Sequence, residues 1–169
     1  MNPESWGFIG TLLGAIVGAS ASIFTTRINS KNAIRIQSNL DKYKREEKFR
    51  DFQRENLLKT QEKLYESFRL VGMAHLEDLK NYMETNKWEI SPLNPKFEND
   101  LANTFRQIAI LTERIDNNDL RAELGEIRKL MTKCLVVTTH SDSQKMMMKL
   151  SDQFDDLMKK LGVILRSNY

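Results

Sequence analysis

An all-α chain is predicted, with one N-terminal transmembrane helix followed by a cytoplasmic bundle of about four helices, the first of them long. Three observations predict it. Residues 6–26, WGFIGTLLGAIVGASASIFTT, contain no charged side chain. Beyond them glycine and proline are scarce, limited to Gly72, Gly125, Gly162, Pro92 and Pro95 in a sequence rich in Leu, Lys, Glu, Gln and Met, which favours helix throughout. Apolar residues then recur at helical spacing, with no strand-like alternation, internal repeat or low-complexity tract.

The first element is the span itself. At about 1.5 Å per residue it extends roughly 30 Å, the thickness of a bilayer's hydrocarbon core. Trp6 falls where an indole rests among headgroups, and Arg27, Lys31 and Arg35 follow at the other end as membrane-interface residues. Only Glu4 and the terminal amine precede the span, whereas Lys42, Lys44 and Arg45 add to the positive charge behind it. The positive-inside rule therefore predicts residues 1–5 outside, 6–26 in the membrane and 27–169 in the cytoplasm. A cleaved signal peptide is the competing reading, since Ala19-Ser20-Ala21 resembles a cleavage site. Signal peptides open with positive charge, which Glu4 cancels here, and the single cysteine, Cys134, suits a reducing compartment.

Four of the seven glycines lie in the span, Gly7, Gly10, Gly14 and Gly18. The last three, spaced four apart, share one side of a helix, and Ser22 extends the row by a turn. Helices in lipid associate through close backbone approach and interhelical hydrogen bonds, both of which small residues permit. With Thr11 and Thr25 nearby, this doubled GxxxG face reads as a self-association seam or, in a ring of copies, the lining of a narrow pore. The plainer reading is an ordinary anchor in which glycine is common.

The remaining chain has room for one cytoplasmic domain with a modest core. Net charge is +3, from 26 basic and 23 acidic residues, and much of the excess lies just behind the span. That placement suits anionic headgroups and argues against nucleic acid, which calls for a basic stripe over the folded domain. The expected partners are the lipid bilayer, further copies of the chain and a cytoplasmic protein.

A long helix is predicted over about 33–86; the span either continues into it as one rod or is broken near Asn29-Ser30-Lys31-Asn32, and the soft break is the favoured reading. Between Asp41 and Glu55 eleven of fifteen residues are charged, and pairs such as Asp41/Arg45 and Glu46/Arg50 meet on a helix surface, a solvated face. Ile36, Leu40, Tyr43, Phe49, Phe52, Leu57, Leu64, Phe68, Val71 and Leu79 form one packing stripe that drifts around Phe49. Residues 87–94, with Trp88 and Pro92, read as the main interhelical loop, Trp88 tucked against the bundle. Asn94-Pro95 supplies an N-cap and first-turn proline for a helix over about 95–116, facing inward through Phe97, Leu101, Phe105, Ile108, Leu111 and Ile115. Asp119 is expected to cap the next, about 119–139, with Leu120, Leu124, Ile127, Leu130, Met131, Cys134 and Leu135 inward. A turn at His140–Ser143 leads to the last, about 143–166, packed by Met147, Leu150, Phe154, Leu157, Leu161 and Ile164. Short connections make neighbours antiparallel.

Catalysis needs groups that move protons, attack or hold a metal, and the chain offers two histidines and one cysteine. There is no CxxC, HExxH, phosphate loop or GxSxG, so no metal or cofactor is expected and a non-enzymatic role is predicted. Adjacent Asp155 and Asp156 point to different sides of a helix. Cys134 on the apolar stripe reads as a packed small hydrophobe, and Met146-Met147-Met148 as core filler whose third member reaches outward. Arg69 and His75 make an R-x5-H spacing, with Gly72 between them marking either a kink or the close approach of another helix.

That spacing is similar to the active-site signature of HEPN ribonucleases, themselves helical bundles. The similarity implies Arg69 steadying phosphate charge and His75 working on the 2′-hydroxyl, across a dimer. The alternative is a buried or interfacial His75. The whole layout, an outward amino terminus, one glycine-rich span and a cytoplasmic bundle with this spacing, resembles the membrane accessory proteins of type VI-B CRISPR systems. The resemblance implies a bacterial inner-membrane location, a divergent HEPN-like domain, homo-oligomerisation into a pore and loss of membrane potential during phage defence. A membrane-perturbing effector is thus the leading expectation. A membrane-tethered scaffold for a cytoplasmic partner is the alternative, followed by a HEPN-like ribonuclease.

Overall fold

The computed structural model describes the backbone of residues 3–168, and side-chain surroundings at Gly7 and over 10–168. Among the described residues there are four helices, with no strand: α1 (Pro3–Thr85), α2 (Pro95–Glu113), α3 (Asn118–Cys134) and α4 (His140–Ser167). The chain divides into two compact units, 1–48 and 49–169, and α1 contributes to both.

The first correction concerns α1. The soft break expected at residues 29–32 is absent, and one helix of 83 residues replaces the two expected segments. Asparagine and serine have only modestly lower helix propensity than alanine, a few tenths of a kcal/mol each, and neither removes a backbone donor as proline does. Gly72 also lies inside the uninterrupted helix, and a Cβ built there meets nothing within 4 Å, so no described element of this chain uses it for close approach.

In the unit 49–169, α1 meets the other helices along Gln53, Leu57, Thr60, Leu64, Ser67, Val71, Ala74 and Asp78, all buried. Their steps of three and four residues keep them on one face. Half of this row is polar, and its groups are satisfied within reach: Thr60 Oγ1 donates to Asn56 O at 2.8 Å and Ser67 Oγ to Leu64 O at 2.9 Å. The row departs from the expected stripe, for Phe49 and Phe52 are 49% and 46% exposed.

Helix α1 ends at Thr85; the next residue, Asn86, has a φ of 56°, the left-handed conformation that asparagine tolerates, and its N–H returns to Tyr82 O at 2.8 Å. Asn94 caps α2 as expected, its side chain accepting from Lys96 N at 2.9 Å. Helix α2 stops at Glu113, three residues short of the expected end. The cap of α3 is Asn117, whose side chain accepts from Leu120 N, with Asp119 in the first turn instead of at the cap. Helix α3 ends at Cys134, not 139, and α4 starts at His140, not 143. The β-branched run Val136–Thr139 is a poor helix former, and Thr139 serves better as the N-cap of α4, accepting from Asp142 N at 3.2 Å.

Helix α3 packs between α2 and α4. Leu120, Leu124, Met131, Ile108, Leu150 and Leu64 are fully enclosed, and Phe68 stacks on Phe154 with ring centroids 4.3 Å apart. The inward faces expected of α2, α3 and α4 are buried or half-buried throughout.

Candidate functional site

In the unit 1–48 the residues expected to form the self-association face sit on a single exposed helix. Residues 10–85 contain an 18-residue window of mean hydropathy 1.4, long and apolar enough to cross a membrane and wholly unburied. Leu12, Leu13, Ile16, Val17, Ile23 and Phe24 are all more than half exposed. At about 100° per residue, Gly7, Thr11, Gly14, Gly18, Ser22 and Thr25 share an arc of about 100°, with Gly10 at its edge. A Cβ built on Gly7, Gly10, Gly14 or Gly18 meets nothing within 4 Å. Each glycine costs a helix about 1 kcal/mol relative to alanine, and contacts within this chain do not require it. Thr11 Oγ1 donates to Gly7 O at 2.6 Å, so that hydroxyl lies back against its own helix. Arg27, Lys31 and Arg35 are exposed. The side chain of Trp6, expected at the interface, lies outside the described residues, as do residues 1 and 2 of the expected outward segment.

In the unit 49–169 both histidines come together, which their separation in sequence did not indicate. His75 Nδ1 lies 2.9 Å from Ser143 Oγ, joining α1 to the first turn of α4. The Trp88 ring stands 6.0 Å from His75 and 5.4 Å from His140, and Tyr82 stacks on His140 at 4.4 Å. Trp88 Nε1 donates to Val137 O at 2.9 Å, which holds the 86–94 loop on the bundle. Asp78 Oδ1 accepts from Ser91 N at 2.7 Å at the other end of that loop. Burial pushes the His75 pKa below its ordinary value; Asp78 opposes the shift and His140 adds to it.

This cluster joins three segments but offers little to a substrate. Ser143 is 1% exposed, so no reagent reaches its hydroxyl. Arg69 is on the surface with Nη1 4.0 Å from Met73 Sδ, whereas His75 faces Ser143. Six residues along a helix turn about 240°, which separates the two side chains within one chain. Cys134 is buried and its pKa is pushed up to about 11 by burial, the opposite of a reactive thiolate. Met146 and Met147 pack on the core while Met148 is 70% exposed. Among the described residues no three His, Cys, Asp or Glu side chains gather as a metal site.

The architecture is therefore an all-α bundle whose first helix also carries an exposed apolar segment. Comparison with known protein families, characterised proteins and solved structures yields no match.

Proposed function

We propose that the chain is a single-pass membrane protein that homo-oligomerises through the small-residue face of residues 7–25 and acts by perturbing the bilayer. On this reading residues 6–26 span a cell membrane with the amino terminus outside and the bundle in the cytoplasm. One observation carries the proposal: a wholly exposed, uncharged helical segment bears a row of glycines around which this chain leaves open space. Lipid covers the greasy side, Leu12, Leu13, Ile16, Val17, Ile23 and Phe24. The glycine side lets a second backbone approach closely, where dispersion and weak interhelical hydrogen bonds accumulate. A ring of such spans lined by Gly, Ser and Thr supplies a narrow polar path for ions, the step by which assembly becomes loss of potential.

Gly14→Leu and Gly18→Leu each fill the seam with an isobutyl group. Each is expected to convert the oligomer to monomer in detergent, read by light scattering, and to abolish conductance in planar bilayers. Unchanged mass for both variants refutes the association. Intact assembly with no conductance from the native chain refutes the perturbing role and favours a tethering one.

A further inference from the structure

Because α1 runs through residues 27–32 without a break, the angular relation between the span and the helix beyond it is fixed, and the seam can be traced past the membrane. On the same helical projection Asn29, Asn32, Ala33, Ile36, Leu40 and Tyr43 fall in the same arc of about 100° as Gly14, Gly18, Ser22 and Thr25. Ile36, Leu40 and Tyr43 are 60%, 48% and 68% exposed. Their spacing, 33, 36, 40, 43, alternates three and four residues as a coiled-coil seam does.

Charge is partitioned around this arc. Arg27, Lys31, Asp41 and Arg45 project to the other side of the helix, Arg35 and Lys42 to its flank, Lys44 and Glu46 lie just outside the arc, and Glu47 is the first charge to enter it. A stripe that excludes charge for some 37 residues and then meets a glutamate has a defined end.

We infer that residues 29–43 form a cytoplasmic coiled-coil extension of the membrane seam, and that its occupant is the same segment of a second, parallel copy of this chain. The inference rests on the self-association proposed above and adds where the interface goes and how it is registered. Three features select a second copy. A parallel in-register partner meets an uncharged stripe with an uncharged stripe, free of like-charge repulsion. Asn29 and Asn32 each carry an amide donor and acceptor, so each can pair with its own counterpart only in that register, the role that a seam asparagine plays in fixing register. A lipid surface or other anionic occupant is disfavoured, since Arg27 and Lys31 lie on the opposite side from the apolar stripe and Arg35 lies outside it.

The test is disulfide cross-linking of the full chain in vesicles, in a Cys134→Ala background so that each introduced thiol is the only one. Ile36→Cys and Leu40→Cys are expected to form linked dimers at least tenfold faster than Ser38→Cys and Arg45→Cys, which sit on the far side. All four positions are exposed, so none of these changes threatens the bundle. Equal rates at positions 38 and 40 overturn the inference, because they mean collision without a seam. Absence of linking at 36 and 40, in a chain whose mass still drops with Gly14→Leu, also overturns it and leaves association confined to the span. Fast linking at 40 in a chain indifferent to Gly14→Leu upholds the cytoplasmic seam and refutes the glycine one. Leu40→Glu supplies a second measurement, expected to lower the oligomeric fraction at least tenfold.

Discussion

Gln53→Met isolates the contribution of one buried amide to the bundle. Gln53 is 6% exposed; its Nε2 donates to Arg114 O at 3.0 Å and its Oε1 accepts from Asp116 N at 3.1 Å. Together with Asn56 Nδ2 on Leu111 O at 3.0 Å, it satisfies backbone groups at the α2–α3 connection, where no glycine terminates α2. Methionine keeps the length and volume of glutamine, so the change removes two hydrogen bonds and little packing. Each contributes about 1 kcal/mol net, and because Arg114 and Asp116 are exposed residues, water partly re-solvates the groups left behind. The expected loss is therefore about 2 kcal/mol, against a total of roughly 6–18 kcal/mol for a unit of this size. In the full chain in detergent micelles, with Trp6→Phe so that Trp88 reports alone, the urea midpoint is expected to fall by about 1 M. The Asp116 amide, measured by hydrogen exchange, is expected to lose about 30-fold protection. A midpoint shift below about 0.3 M with unchanged Asp116 exchange refutes the assignment of Gln53 as the cap of this connection.

Two further outcomes concern the titratable groups. Burial lowers the His75 pKa, so the unfolded chain binds the proton more readily: stability is complete above the ordinary value of 6.5 and is lost as pH falls below it, by at most about 1.4 kcal/mol per pH unit. The groups facing His75 are Asp78, His140 and Ser143; urea midpoints at pH 7.5 and 5.0 should differ in the native chain and converge in His75→Gln, and a difference that survives the substitution places the pH response elsewhere. Cys134, with its pKa pushed up to about 11, is expected to react with a disulfide reagent at pH 8 more than 100-fold slower in the folded chain than in urea; comparable rates refute its enclosure.

Helices α2, α3 and α4 are legible in the sequence because apolar positions mark most of their buried faces: Leu101, Ile108, Leu120, Leu124, Leu150 and Phe154 lie where period 3.6 puts them, with Thr104, Thr112 and Ser143 the polar exceptions. The packed face of α1 is not, because Gln53, Asn56, Thr60, Ser67 and Asp78 carry much of it and hydropathy scores them as surface. Gln53 even lies inside the run of charge that reads as solvated. Asn29–Asn32 mislead in the other direction: polar residues in a row resemble a turn, yet without proline or glycine they stay helical. The pairing of His75 with Ser143, and of both histidines with Trp88, depends on where three segments converge and has no local signature. A partial signal exists in Trp88, since an indole in a short polar loop needs both a surface to cover it and an acceptor for its N–H.

The two units use their apolar residues in opposite ways, and that contrast bears most on the proposed action. Residues 49–169 enclose leucines while accepting serine, threonine and glutamine into the same face of α1. Residues 10–48 enclose nothing: from Leu12 to Tyr43 the large apolar side chains on α1 are exposed. A run of exposed apolar side chains of this length marks an interaction surface. Lipid alone would cover the greasy side of residues 12–24, but it would leave the glycines without purpose and would not reach Leu40 and Tyr43. The second copy proposed above would cover both with one seam, and it would account for the absence of charge from the arc before Glu47. On the proposed seam, membrane and cytoplasmic associations would be one cooperative event. A substitution at Leu40, roughly 33 Å of helix beyond Gly18, should weaken contacts inside the bilayer, which cross-linking within the span of Leu40→Glu directly measures.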